Sequence, residues 1–231
     1  MVRRTPLCLL AALLGIFAVS SSPVRATELT FDTVSPFSDY DHLAPSYGSR
    51  AASTPEGDFI YGAAGGWTPN AVVSYSSPSP TGGVERWHSG YGDLTNVIYP
   101  DNPGYPSLSI TLEADPGYLV SLDHFDMAGW PTSTYVIDYV KVLDKNGVAL
   151  YDQPDATILG TGSTHTRFDF SGSPLTSEKL TIVYNSARSG GWNVGIDNVQ
   201  FSQVSSVPDG ATLSLALVGL APLGLLLRRR R

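Results

Sequence analysis

Apolar positions recur at every second residue in short runs along much of the 231-residue chain, and Gly, Pro, Asn and Ser separate the runs. Leu108, Ile110 and Leu112 alternate with Ser109, Thr111 and Glu113, and Leu180, Ile182 and Tyr184 alternate with Lys179, Thr181 and Val183. A period of two puts each apolar set on one face of a strand, turned toward one core. β-rich runs also occupy 29–34, 58–64, 71–77, 95–99, 118–129, 134–144, 148–152, 166–170 and 193–201. No stretch of similar length shows the 3.6-residue period of a helix, so the pattern predicts an all-β, antiparallel β-sandwich. Two details are sharper. Asn146-Gly147, inside the segment Asp144 to Gly147, predicts a hairpin turn. In the last run Val194 and Ile196 share one parity while Val199 and Phe201 share the other, so all four face inward only if a bulge lies near Asp197 and Asn198.

Both ends of the chain depart from this alternation. Arg3 and Arg4 precede an apolar run from Leu7 to Val19, and small residues follow up to Ala26, which predicts a secretory signal peptide over 1–26, cut after Ala26. The single cysteine, Cys8, falls inside it, so the domain that follows holds no disulfide although it enters a compartment where one could form. At the other end, the uncharged stretch from Ala211 to Leu227 would span about 25 Å as a helix, close to the shortest length that crosses a bilayer core. Arg228, Arg229, Arg230 and Arg231 would then stop transfer and remain on the cytoplasmic side. A buried C-terminal helix is the plainer alternative, but the segment has no polar helical face. The expected organisation is a leader over 1–26 with a signal helix, a β-sandwich domain over 27–204, and a C-terminal segment over 205–231 with a transmembrane helix at 211–227.

Charge changes the picture of the domain. It carries seven Lys and Arg against 20 Asp and Glu, a formal charge of about −13, which disfavours nucleic acid and anionic surfaces and favours cations. Solubility alone would also account for it. His42, His88, His124 and His165 include no pair at metal-binding spacing, and no nucleophile elbow, phosphate loop or zinc motif is present. Acidic pairs such as Asp39 with Asp41 and Asp123 with Asp126 have the residue types a glycosidase needs, but 20 acids produce such pairs by chance. The chain therefore reads as non-enzymatic. Its tryptophans, Trp67, Trp87, Trp130 and Trp192, sit among Gly, Pro and polar residues and are expected in loops. There they either cap the ends of the core, as buried Trp commonly does, or offer ring faces to a sugar. Trp87, Trp130 and Trp192 are the candidate ligand-binding residues.

The stretches LSITLEADPGYLVSLDHFDMAGW, LDKNGVALYDQ, HTRFDFSGSPLTSEKLTIVYNS and VGIDNVQFSQ are similar to a domain recurrent in bacterial exported proteins with a C-terminal sorting signal of the PEP-CTERM type. The tail resembles that signal in its three parts. Val207, Pro208, Asp209 and Gly210 resemble the VPDSG variant of the motif without its serine, and the apolar helix and Arg cluster follow. The resemblance implies export, membrane anchoring by the tail, processing by an exosortase-type enzyme, and a place at the cell surface or in a polysaccharide matrix. It also implies a jelly-roll or galactose-binding-like sandwich, a fold in which calcium often ties the first strand to the last. Asp32 and Asp197, with Asn198 as a neutral helper, are the candidate calcium ligands; closing a bulge by side-chain to backbone hydrogen bonds is the alternative role for Asp197 and Asn198. The expected function is a structural or adhesive surface protein with no nucleic-acid partner, and the alternative is a carbohydrate-binding module recognising extracellular polysaccharide.

Overall fold

The computed structural model describes residues 26–31, 38–52, 66–80 and 83–206. The expected leader up to Arg25, the calcium candidate Asp32, the motif Val207 to Gly210, the apolar segment 211–227 and Arg228 to Arg231 lie outside the described residues. Among those described, no helix is long and apolar enough to cross a membrane.

Two twelve-residue strands, β6 (Tyr118–Gly129) and β14 (Val194–Ser205), run antiparallel through the middle of a seven-stranded sheet. Shorter strands line their free edges in pairs. β11 (Thr166–Asp169) and β12 (Leu175–Ser177) follow one another along β6, while β1 (Ala26–Leu29) and β4 (Val97–Pro100) share the far edge of β14. β3 (Val84–Trp87) pairs with β4 at the margin. The second sheet runs β2 (Ala71–Ser76), β5 (Ser107–Ala114), β13 (Lys179–Asn185), β8 (Tyr139–Leu143) and β9 (Ala149–Pro154) in spatial order. A two-stranded ladder joins β7 (Tyr135–Val136) to β10 (Thr157–Ile158).

The alternating residues do what their period requires. Leu108, Ile110, Leu112, Leu180, Ile182 and Tyr184 from one sheet share a buried cluster with Val120, Leu122, Phe125, Met127, Ile196 and Phe201 from the other. The two sheets therefore pack face to face as a sandwich, and each fully buried apolar side chain contributes about 1.5–3 kcal/mol. The hairpin is present between β8 and β9, where the Asp144 carboxylate accepts from the backbone N–H groups of Asn146 and Val148, both at 2.8 Å.

The bulge is also present. Register slips between Asp197 and Gln200, Asn198 takes φ +50°, and Val194, Ile196, Val199 and Phe201 are all fully buried. Asn tolerates that left-handed backbone, and the Asp197 Oδ1 accepts its N–H at 2.7 Å. β6 answers with an extra residue of its own between His124 and Leu122, which lets Leu122 and Phe125 face inward despite their opposite parities.

Other expectations need correction. Of the run 29–34, Leu29 ends β1, Thr30 and Phe31 lie outside any strand, and 32–34 lie outside the described residues. The run 134–144 divides into β7 and β8 because Ile137 is buried on one parity and Val140 and Val142 on the other. β14 continues to Ser205, one residue past the expected domain end. β3, β10 and β12 are additional strands, and β3 carries Trp87.

Candidate functional site

The outer face of the seven-stranded sheet has an apolar cluster of its own. Residues that alternate with the main core, Val97 beside Ile98 and Ala128 beside Met127, meet Tyr91 and Leu94 there, with Trp87 and Trp130 packed against them. Aromatic residues from widely separated segments converge above it. Trp87 ends β3, Tyr91 lies in the loop after it, Tyr99 is in β4, Trp130 follows β6, Trp192 precedes β14, and Tyr40 comes from the segment 38–52. All six line one depression of about 120 Å³.

Backbone and phenol hydrogen bonds hold these loops to one another. Trp130 N–H donates to Asn193 O at 2.8 Å, and Thr132 N–H donates to Gly90 O at 2.8 Å. The Tyr91 hydroxyl donates to Trp192 O at 2.6 Å, and the Tyr135 hydroxyl to Trp130 O at 2.7 Å. Tyr91 can settle on the sheet because Gly195 has no side chain: a Cβ there would lie 2.6 Å from Val97 Cγ2 and 3.1 Å from the Tyr91 ring. Gly92, at φ +56°, turns the same loop where any side chain would run into Thr164 O.

The rings meet as walls and floor. Tyr40 and Trp87 are 4.9 Å apart at 80°, and Trp87 and Trp130 are 6.1 Å apart at 72°, so adjacent walls stand nearly square to each other. Tyr91 and Tyr99 are buried and nearly parallel at 6.4 Å. Tyr40 and Trp192 project, at 60% and 44% exposure. Burial pushes the Tyr91 and Tyr99 phenols well above the ordinary tyrosine range, and for Tyr99 the Glu85 carboxylate that accepts its hydrogen bond at 2.9 Å adds to the rise. Both phenols are therefore neutral at physiological pH. Burial raises the Glu85 carboxyl as well, against the opposing pull of the Tyr99 hydrogen bond.

Polar groups stand at the margin. His88, whose ring stacks on Trp87 at 6.5 Å and 22°, donates from Nδ1 to the Asp39 carboxylate, 2.6 and 2.7 Å from its two oxygens. Its Nε2 lies 3.3 Å from the Ser89 hydroxyl.

Of the residues singled out from the sequence, Trp87, Trp130 and Trp192 come together here. Trp67 does not; it bridges to Ala52 elsewhere. The expectation of four loop tryptophans fails for Trp87, which is the last residue of a strand. Tyr40, Tyr91 and Tyr99 had no strong local signal, although Tyr91 lies in the Gly-flanked sequence SGYGD. Asp197 is buried in the bulge with its Oδ1 on Asn198 N–H, and no group of three His, Cys, Asp or Glu placed to hold a metal occurs among the described residues. The acidic pairs are engaged separately. Asp41 accepts from Ser38 N–H at 2.8 Å, and burial pushes the Asp123 carboxyl up. Asp126 is fully buried and takes a two-pronged bond from Arg167 at 2.8 and 2.9 Å. No carboxylate is among the described residues that line the depression.

No protein-family model matches the chain, and no curated protein matches it. Solved structures with a similar arrangement are distant. One is a family 32 CBM from C. perfringens NanJ in complex with galactose, with 13% identity and a TM-score of 0.33, covering 57% of this chain and 93% of that one. A Stig cyclase from Fischerella sp. TAU gives 13% identity and 0.35, over 79% and 100%. The arabinose-bound MgGH51 α-L-arabinofuranosidase gives 11% and 0.31, over 78% of this chain but only 27% of that one.

Proposed function

We propose that this chain is a carbohydrate-binding surface protein whose ligand stacks in the aromatic depression, and that it acts by binding rather than by catalysis. One observation carries the reading: Tyr40, Trp87, Tyr91, Tyr99, Trp130 and Trp192, from segments far apart in the chain, line a single depression, with Tyr40 and Trp192 left exposed. A pyranose presents an apolar face that fits such rings, and the Asp39, His88 and Ser89 groups at the margin supply partners for hydroxyls. The expected leader and sorting tail complete the proposal by delivering the domain to the cell surface, where an extracellular polysaccharide is the partner.

A single stacked ring contributes about 1 kcal/mol, so soluble monosaccharides should bind weakly and a polymer with many repeats should be retained by multivalency. Retention on insoluble polysaccharides tests this. Trp192→Ala should lower affinity for a soluble fragment by about fivefold. It should change unfolding stability by no more than about 1 kcal/mol, because the ring already faces solvent. A variant that loses stability by several kcal/mol while retention stays unchanged would mean that the ring is a structural cap.

A further inference from the structure

Aromatic rings line the depression, none of its described lining residues is charged, and the domain as a whole is strongly acidic. Trp87 meets Tyr40 and Trp130 nearly at right angles, and with Tyr91, Tyr99 and Trp192 they line one depression, so the rings are not coplanar as on a flat platform. The faces of aromatic rings are the negative ends of their quadrupoles, and converging faces hold a cation by cation–π attraction.

Six of the domain's seven basic groups are paired with carboxylates. Arg50 pairs with Asp115, Lys141 with Asp152, Lys145 with Glu178, Arg167 with Asp126, Lys179 with Glu113, and Arg188 with Asp138 and Asp155. The seventh, Arg86, is buried and donates from Nε to Phe31 O at 3.1 Å and from Nη2 to the Asn96 side chain. Two carboxylates border the rings themselves: Asp39, next to Tyr40 in the chain and bonded to His88, and Glu85, bonded to Tyr99.

We infer that the depression selects a glycan carrying free, protonated amino groups, with the ammonium seated among Tyr40, Trp87 and Trp130. This rests on the glycan-binding reading and names its ligand class. An N-acetylated or hydroxylated sugar offers the same apolar ring face without the charge. A quaternary ammonium such as choline shares the cationic chemistry without the sugar.

The test uses the full chain and reads tryptophan emission. Glucosamine oligomers and their N-acetylated counterparts are titrated in parallel at low salt and neutral pH. Choline and its uncharged carbon isostere, 3,3-dimethylbutan-1-ol, then compete against the bound oligomer. The expected result is at least tenfold tighter binding of the free-amine oligomer and displacement by choline but not by the isostere. Asp39→Asn should reduce that preference severalfold while leaving the melting temperature within a few degrees. Tyr40→Ala, at an exposed ring, should do the same. Equal binding of the two oligomers overturns the inference and leaves the glycan-binding reading standing. Choline binding with no oligomer binding overturns the amino-sugar assignment, and binding of neither these oligomers nor any other glycan removes the reading on which it rests.

Discussion

Replacing Arg167 with methionine is expected to cost about 3 kcal/mol of folding stability at pH 7. The substitution keeps most of the apolar stem and removes the charge that faces Asp126, a carboxylate with no exposed surface. Burial by itself would push that carboxyl up, but the Arg167 and Asn198 hydrogen bonds and the nearby His165 and Arg167 charges hold it below the ordinary aspartate range. Removing one partner of a fully buried pair typically costs about 3–5 kcal/mol, but the Arg167 side chain is 47% exposed, so water takes over part of what the guanidinium supplies. The lower end applies here because Asn198 still donates to Asp126 at 3.0 Å and His165 Nε2 lies 3.7 Å away, itself shared with Asp93. The pH dependence has a definite sign. In the wild type the folded carboxyl is depressed, so its stabilisation is complete above the unfolded value of about 4 and is lost only as pH falls through the lower folded value. Without Arg167, burial prevails and the carboxyl rises, so the penalty is present at pH 7 and fades as acid protonates it. Urea unfolding at pH 7 and pH 4.5 should show the gap between the two proteins narrowing at the lower pH. A gap of the same size at both would place the Arg167 contribution in packing instead of charge.

Gly92→Ala should cost a similar amount and should also impair the site. The residue sits at φ +56°, where an L side chain costs about 1–2 kcal/mol, and a Cβ there would approach Thr164 O inside the 3.0 Å that real Cβ contacts respect. Backbone cannot yield as a side-chain tip can, and such overpacking adds about 1–3 kcal/mol. Gly147 provides the control, since it has φ +77° but nothing within 4 Å of its added Cβ, so Gly147→Ala pays strain alone. The difference between the two in urea midpoint measures the crossing of the 88–96 loop over Thr164. That loop also carries Tyr91, so folded Gly92→Ala should bind glycan less tightly than Gly147→Ala. Equal midpoints and equal binding would show that the loop yields freely.

Local periodicity was enough to place the strands that lie on one face of one core. β6 and β13 coincide with the runs read from sequence, because Leu180, Ile182 and Tyr184 need only their own spacing to declare a face. The bulge at Asp197 and Asn198 was legible for the same reason, as a clash of parities within one strand. An identical clash at Ile137 against Val140 marks the break between β7 and β8, where the run was read as continuous. β3 is only four residues long, too short for alternation to stand out. The site depended on tertiary register. Which of Tyr40, Tyr91 and Tyr99 would join the tryptophans is fixed by how β3, β4 and β6 align and by Gly195 leaving room above the sheet, and no window of sequence contains those facts. The Arg167 pairing with Asp126 is of the same kind, a cross-strand match that exists only once β11 is docked on β6.

Three of the four tryptophans border the depression and the fourth, Trp67, lies apart, so the most direct test of glycan binding there is acrylamide quenching of tryptophan emission in Trp67→Phe protein, with and without a saturating oligosaccharide from a polymer that retains the domain. Stacking in the depression predicts a quenching constant that falls severalfold on binding, and a much smaller fall when Trp192→Ala is added. Retention of the polymer with unchanged quenching would put the sugar elsewhere on the surface and contradict the assignment of this site.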